Sequence, residues 1–92
     1  MAHVHLDVKQ GKGGAVTCTA RLYTGQRGLE NPEELPPFVT LNGPARLNTE
    51  ELLRLWDAVL RHRGYLLTRS VVRVAGESGI RVKLRSLAYT TV

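Results

Sequence analysis

The sequence predicts a small α+β domain in the order ββ-α-ββ, with a four- to five-stranded, antiparallel-rich sheet and one helix packed across one face. Three observations lead to this fold class. A helix with clear start and stop signals lies at residues 48–63, and alternating apolar and polar segments flank it on both sides. Each flanking pair of segments surrounds a glycine-containing turn, as in a β-hairpin. The 92 residues suffice for one modest core, so we expect a single domain over residues 1–92.

The first hairpin is predicted over residues 1–23. Apolar and polar residues alternate over residues 4–8 and again over residues 16–22, and residues 11–14 between them form a glycine-rich turn. Apolar partners share one face in the register that pairs Val8 with Val16, Leu6 with Cys18 and Val4 with Ala20. This register requires a connecting loop of odd length, such as a turn with a glycine bulge.

A long irregular connection follows over residues 24–47, where the periodicity ends and glycine and proline recur. Because a structureless loop of this length is uncommon in a compact domain, we expect residues 38–41 to form a short extra strand or to pack on the core. Glu30, Glu33 and Glu34 make the tip of this connection acidic. This connection is either a solvent-exposed loop without a binding role or a loop that binds a partner.

The helix over residues 48–63 has signals at both ends. Asn48 is a suitable N-cap, and Glu51 lies three residues later, at the spacing of a capping box. Gly64 can take the left-handed conformation that ends a helix. The apolar residues recur at helical spacing in one stripe, namely Leu52, Leu53, Trp56, Val59 and Leu60. We therefore expect one buried face, with Trp56 in the core.

The second hairpin is predicted over residues 65–89, around a turn at residues 76–79. The expected register places Val74 opposite Val82 and Val72 opposite Leu84 on the core-facing side. The same alternation assigns to the core-facing side Leu66, Thr68 and Ser70, and to the outer side Leu67, Arg69, Val71 and Arg73. The outer face of the sheet is then polar and open to solvent.

The formal net charge of +5 is distributed unevenly. Residues 1–47 carry five basic and four acidic side chains, residues 48–64 carry three of each, and residues 65–92 carry five basic ones with only Glu77 acidic. The excess therefore lies in the second hairpin, where it suits an acidic protein or phosphate groups. Alternating arginines also have a purely structural explanation, because charged side chains keep the exposed face of a strand hydrated and protect its edge from aggregation.

The cysteine content and the apolar runs bear on the compartment. Cys18 is the one cysteine, which excludes an internal disulfide and a cysteine-based metal site. Its place in the alternation puts it in the core as an inert residue. The chain shows neither a signal-peptide pattern nor an apolar run of membrane-spanning length. We expect a cytoplasmic protein without membrane association.

The outer face of the second hairpin is the candidate binding face. It comprises Arg69, Arg73, Arg81, Lys83, Arg85, Leu87 and Tyr89. Further contacts are expected from Lys9, Arg21, Tyr23, Glu33 and Glu34. His3 and His5 share the outer face of the first hairpin.

Two kinds of binding fit this face. A protein-binding module, such as an adaptor, an assembly subunit or an inhibitor, would use the cations and strand edges on an acidic partner, or dimerise through its sheet. The apolar side chains of Leu67, Val71 and Leu87 interrupt the basic face and favour this reading slightly. The alternative is a nucleic-acid-binding domain that contacts phosphates through the same cations. With only Tyr23 and Tyr89 available for stacking, base recognition on an aromatic-rich sheet is not supported.

Catalysis and metal binding have weaker support. His3, His5 and Asp7 lie on one strand face and are weak candidates for a metal site, because no second group of ligands accompanies them. The glycine-rich turn lacks the spacing and the following helix of a phosphate-binding loop. No catalytic set of serine, histidine and acid stands out. We therefore expect a non-enzymatic protein without a cofactor.

Overall fold

The computed structural model describes residues 2–24, 32–40 and 49–87. It contains a six-stranded antiparallel open sheet with a short helical segment packed against one face, which confirms the predicted α+β class. The strands are β1 (His3–Gln10), β2 (Val16–Tyr23), β3 (Glu33–Glu34), β4 (Phe38–Thr40), β5 (Tyr65–Val72) and β6 (Ile80–Ser86). The helices are α1 (Thr49–Arg54) and α2 (Asp57–His62). None of the described helices is long and apolar enough to cross a membrane.

The sheet has the strand order β3-β2-β1-β6-β5, and β4 also pairs with β2. The central pair β1 and β6 therefore joins the two hairpins, an arrangement that the sequence left open. The expected short strand at residues 38–41 is confirmed for Phe38–Thr40, while Leu41 lies outside the described residues. The irregular connection adds β3 as well, which raises the strand number from the expected four or five to six.

The register of the first hairpin differs from the predicted one by two residues. Val8 faces Cys18, Leu6 faces Ala20 and Val4 faces Leu22. Lys12–Gly14 forms a single helical turn, with Gly13 at φ 77° and Gly14 at φ 81°. The loop is longer than expected, because nine residues separate Val8 from its partner Cys18, against seven in the predicted pairing with Val16. Its length is odd, as predicted, and a shift by two keeps every side chain on its expected face.

The register of the second hairpin was also predicted incorrectly. Leu67 faces Leu84 and Val71 faces Val82, so a bulge lies between these pairs. Thr68 stabilises the bulge: its hydroxyl donates to the Lys83 carbonyl oxygen at 2.7 Å. It also accepts a bond from the backbone N–H of Ser70 at 3.1 Å.

The bulge changes which residues face the core. Leu67, expected on the outer face, packs against the core together with Tyr65. Leu66, expected to face the core, lies opposite Arg85 on the other side of the sheet. The cause is a local one, since three residues of β5 oppose a single residue of β6 within the bulge.

The core lies between the inner sheet face and the helical segment. Trp56, at 0% exposure, packs edge-on against Phe38 with 5.0 Å between ring centroids. Its indole N–H donates to the Pro36 carbonyl oxygen at 3.1 Å. The helical segment is interrupted here, because Trp56 has φ −108° and ψ 4° and its backbone N–H bonds to the Leu53 carbonyl oxygen. Two short helices thus replace the expected continuous one, and the capping residue Asn48 lies outside the described residues.

Candidate binding surface of the second hairpin

The outer sheet face brings together polar residues from both hairpins, as the alternation predicts. His3 lies between Tyr23 of β2 and Lys83 of β6, and His5 lies between Arg21 and Arg81 in the same way. Side chains opposite one another in antiparallel strands are direct neighbours. Residues distant in sequence therefore form one continuous surface.

Arg81 is engaged within the chain and is not a free cation. Its guanidinium donates two hydrogen bonds to the Glu77 carboxylate, from Nε at 3.0 Å and from Nη2 at 2.7 Å. It also lies over the Tyr23 ring, 4.4 Å from the centroid, and its side chain is only 14% exposed. The hydrogen bonds to Arg81 lower the pKa of Glu77, and the same bonds raise the pKa of Arg81. This pair neutralises one predicted binding cation and covers one face of Tyr23.

The turn at residues 76–79 is fastened to β1. The His5 ring donates from Nε2 to the Ser78 carbonyl oxygen at 2.6 Å, and the Ser78 hydroxyl donates to the Asp7 carboxylate at 3.0 Å. Gly79 lies so close to β1 that a side chain there would overlap the Leu6 carbonyl oxygen. Two of the three weak metal candidates thus hold the turn. Among the described residues, no three His, Cys, Asp or Glu side chains are grouped to hold a metal ion.

His3 is a half-buried residue of this face. Burial is the main reason why the pKa of His3 is lowered, and the charges of Arg81, the N-terminus and Lys83 lower it further. Nearby positive charges therefore contribute to the lowered pKa of His3, but less than burial does.

Four predicted cations remain without an acidic partner among the described residues: Arg69, Arg73, Lys83 and Arg85. All four are exposed. Lys83 and Arg85 project from β6 on the outer face, whereas Arg69 belongs to the bulge and Arg73 follows β5 directly. Leu87 is half-buried, and its backbone N–H donates to the Gly64 carbonyl oxygen. The predicted contact Tyr89 lies outside the described residues.

The other residues expected to contact a partner lie apart from these four cations. Glu33 and Glu34 form β3 at the opposite end of the sheet from β5. Glu33 accepts a hydrogen bond from Arg63 at 2.6 Å, and Glu34 lies 3.8 Å from Arg21. Lys9, exposed near the end of β1, lines a small cavity with Arg21 and Glu34. The acidic patch is therefore partly neutralised and separate from the basic hairpin.

The edge of β5 adds a feature that the alternation did not reveal. No strand within residues 2–24, 32–40 and 49–87 pairs with its outer edge. Val71 is 50% exposed and Val74 is 47% exposed. A cavity of about 270 Å³ adjoins them at the turn end of the hairpin. Its lining consists of Val71, Val72, Arg73, Val74, Glu77, Gly79, Ile80 and Arg81.

Comparison with known proteins leaves this geometry as the guide to function. No known family, curated protein or solved structure matches the chain. The surface therefore has to be interpreted from its own chemistry. Within the described part of the chain, one hairpin carries a strand edge without a pairing strand, four cations without an acidic partner and half-exposed valines.

Proposed function

We propose that the protein is a small non-catalytic protein-binding module that takes up an acidic, extended segment of a partner along the edge of β5. The observation that carries the proposal is the outer edge of β5, which no described strand covers. Such an edge presents unpaired backbone N–H and C=O groups, to which an extended peptide can add as a further strand.

The charges beside this edge select the kind of partner. Arg69 and Arg73 are exposed, and residues 65–73 include no acidic side chain. Carboxylates alternating along an added strand would meet these arginines, since every second side chain of a strand lies on the same face. An acidic segment therefore complements the edge.

The same charges disfavour a second copy of the chain as the occupant. Antiparallel pairing of two β5 strands would bring the arginines of both copies together, with no acidic group in either strand to offset them. The homodimer expected as one option from the sequence is thus the less favoured arrangement.

Nucleic acid is the alternative occupant of the basic surface. Lys83 and Arg85 are exposed on the outer face. Against it, Glu77 neutralises Arg81, and Arg81 in turn covers Tyr23, the one predicted stacking group that is described. These contacts favour a protein partner. The expected cytoplasmic location stays a prediction from the sequence.

Fluorescence anisotropy with short acidic peptides tests strand addition. A labelled peptide in which leucine alternates with aspartate or glutamate should bind, and its basic counterpart should not. N-methylation should separate two frames, because only alternate N–H groups of an added strand bond to the edge. Methylation in one frame should abolish binding and in the other frame leave it intact. Equal tolerance of both frames would contradict strand addition.

Charge-reversal variants locate the site. Arg69→Glu combined with Arg73→Glu should abolish binding of the acidic peptide. The matched control combines Lys9→Glu with Arg54→Glu, two exposed cations with the same total change of charge on β1 and α1. It should retain binding.

The same titration with single-stranded DNA, duplex DNA and RNA at two salt concentrations tests the alternative. Binding that depends steeply on salt and is lost on changing Lys83 and Arg85 to serine would replace the proposal with a nucleic-acid function.

A further inference from the structure

The cavity at the turn end of the second hairpin adjoins the end of the proposed binding edge. Val71 and Val72 end β5, while Ile80 and Arg81 begin β6, and all four contribute to its lining. The rest of the lining comes from the connecting loop. A segment added along the edge of β5 would therefore reach this cavity where the strand ends, at Val71 and Val72.

Four of the eight residues that line the cavity are aliphatic, namely Val71, Val72, Val74 and Ile80. Its polar members Glu77 and Arg81 bond to one another through two hydrogen bonds, which engage both carboxylate oxygens of Glu77. An apolar side chain entering this space would displace water from the valines.

Arg73 is the charged group of the lining that stays available. It is exposed, and among the described residues no acidic side chain pairs with it. A carboxylate next to an entering apolar side chain would be attracted to this guanidinium. The cavity and its rim thus match a pair of neighbouring residues, one aliphatic and one acidic.

Building on the proposed function, we infer that this cavity is the specificity pocket of the binding edge. It accepts an aliphatic side chain of the acidic partner segment, and Arg73 binds the carboxylate of an adjacent residue. The hairpin therefore selects a sequence in which an acidic residue neighbours leucine, isoleucine or valine, rather than acidic segments in general.

A peptide comparison tests this selectivity. The alternating acidic peptide is titrated in a leucine form and in a form with every leucine replaced by alanine. The leucine form should bind at least about tenfold more tightly, as expected when a pocket distinguishes side chains by several methyl or methylene groups. Val71→Thr combined with Val74→Thr should abolish this preference, because threonine preserves the shape of valine and adds a hydroxyl.

The control is Val39→Thr, at a valine that is 59% exposed on β4 near the opposite edge of the sheet. It should keep the full preference for leucine. Since Val71 and Val74 are half-exposed, their replacement should leave the fluorescence of the buried Trp56 unchanged, which verifies folding. In the wild-type protein, the leucine peptide should also shift the amide NMR signals of Val74 and Gly79.

Each outcome has a distinct meaning. Binding of both peptides with equal affinity would overturn the pocket and leave the proposed function intact. A leucine preference that survives in the threonine variant would also overturn the pocket, because the selectivity would then arise elsewhere. If neither acidic peptide binds, both the proposed function and the pocket are wrong.

Discussion

Replacing Gly79 with alanine tests how the second hairpin is fastened to the centre of the sheet. Gly79 has φ 81°, and an ideal Cβ on it would overlap the Leu6 carbonyl oxygen. Because that oxygen belongs to the backbone of β1, it cannot move aside as a flexible side chain would. The turn must therefore move away from β1 in the Gly79→Ala variant.

The cost has two parts. The left-handed backbone conformation costs about 1 kcal/mol when alanine replaces glycine. Displacement of the turn also breaks the bonds of Ser78 to His5 and Asp7, which adds roughly 1–3 kcal/mol at the usual value of a hydrogen bond. We expect the free energy of unfolding to fall by about 3 kcal/mol in total.

Gly76→Ala is the matched control. Gly76 has nearly the same φ, 78°, but an added Cβ would have no atom within 4 Å. It should therefore lose only the conformational part, about 1 kcal/mol. Urea denaturation monitored through Trp56, the one tryptophan and a fully buried one, measures both variants. Equal destabilisation by the two substitutions would refute the close packing of the turn on β1.

Three further predictions concern titration, burial and the bulge. The pKa of His3 is lowered in the folded protein, mainly by burial and then by Arg81, so the stability associated with neutral His3 should be present above about pH 6.5 and be lost as the pH falls from there towards the folded-state pKa. In this window the free energy of unfolding, measured by denaturation at each pH, should depend less on pH in His3→Gln than in the wild-type protein. An unchanged pH dependence would contradict the assignment. Burial raises the pKa of the Cys18 thiol, so a thiol reagent should modify it at a rate that follows unfolding in urea, whereas fast modification in the native state would exclude its core position. Thr68→Val should cost about 1–2 kcal/mol by removing both hydrogen bonds of the hydroxyl, while Thr17→Val on the outer face of β2 should be close to neutral; similar losses would show that the bulge needs no hydroxyl.

The alternation of the sequence predicted the faces of the first hairpin better than its register. Val4 and Leu6 are buried as expected, because a period of two determines which side of the sheet a residue occupies. It leaves shifts by two residues undetermined. The actual shift depends on the length of the connecting loop, which contains the helical turn at Lys12–Gly14 with two glycines in left-handed conformations and is longer than the predicted register implies.

In the second hairpin, the alternation of apolar and polar residues breaks down at the start of β5, close to the bulge. Tyr65, Leu66 and Leu67 are consecutive and cannot alternate, and the polar residues that follow occupy the bulge. This break is a signal of irregular pairing, yet the hydroxyl of Thr68 that stabilises the bulge finds its acceptor only across the strand pair. Local pattern could thus indicate an irregularity but not its position.

The residues of the candidate site could be predicted from the sequence, but not which of its cations remain free to bind a partner. The sequence shows Glu77 four residues before Arg81, but the two are separated by a turn whose path decides whether they meet. In the folded chain they form a bidentate pair, and this removes Arg81 from the set of free cations. The cavity beside the β5 edge depends on the same turn, so no periodicity in the sequence could indicate it.

The exposed arginines of the β5 edge have two physical explanations, and these differ in the sign of charge that they require. Charge on a strand edge prevents aggregation, and a glutamate protects an edge as well as an arginine does. Binding of an acidic segment needs positive charge at Arg69 and Arg73. A charge-reversed edge that keeps the protein monomeric but no longer binds the peptide therefore separates the two roles. The internal pairing of Arg81 with Glu77 already favours binding, because the chain neutralises a cation that stabilises its turn, whereas no acidic side chain among the described residues pairs with the arginines that flank the open edge.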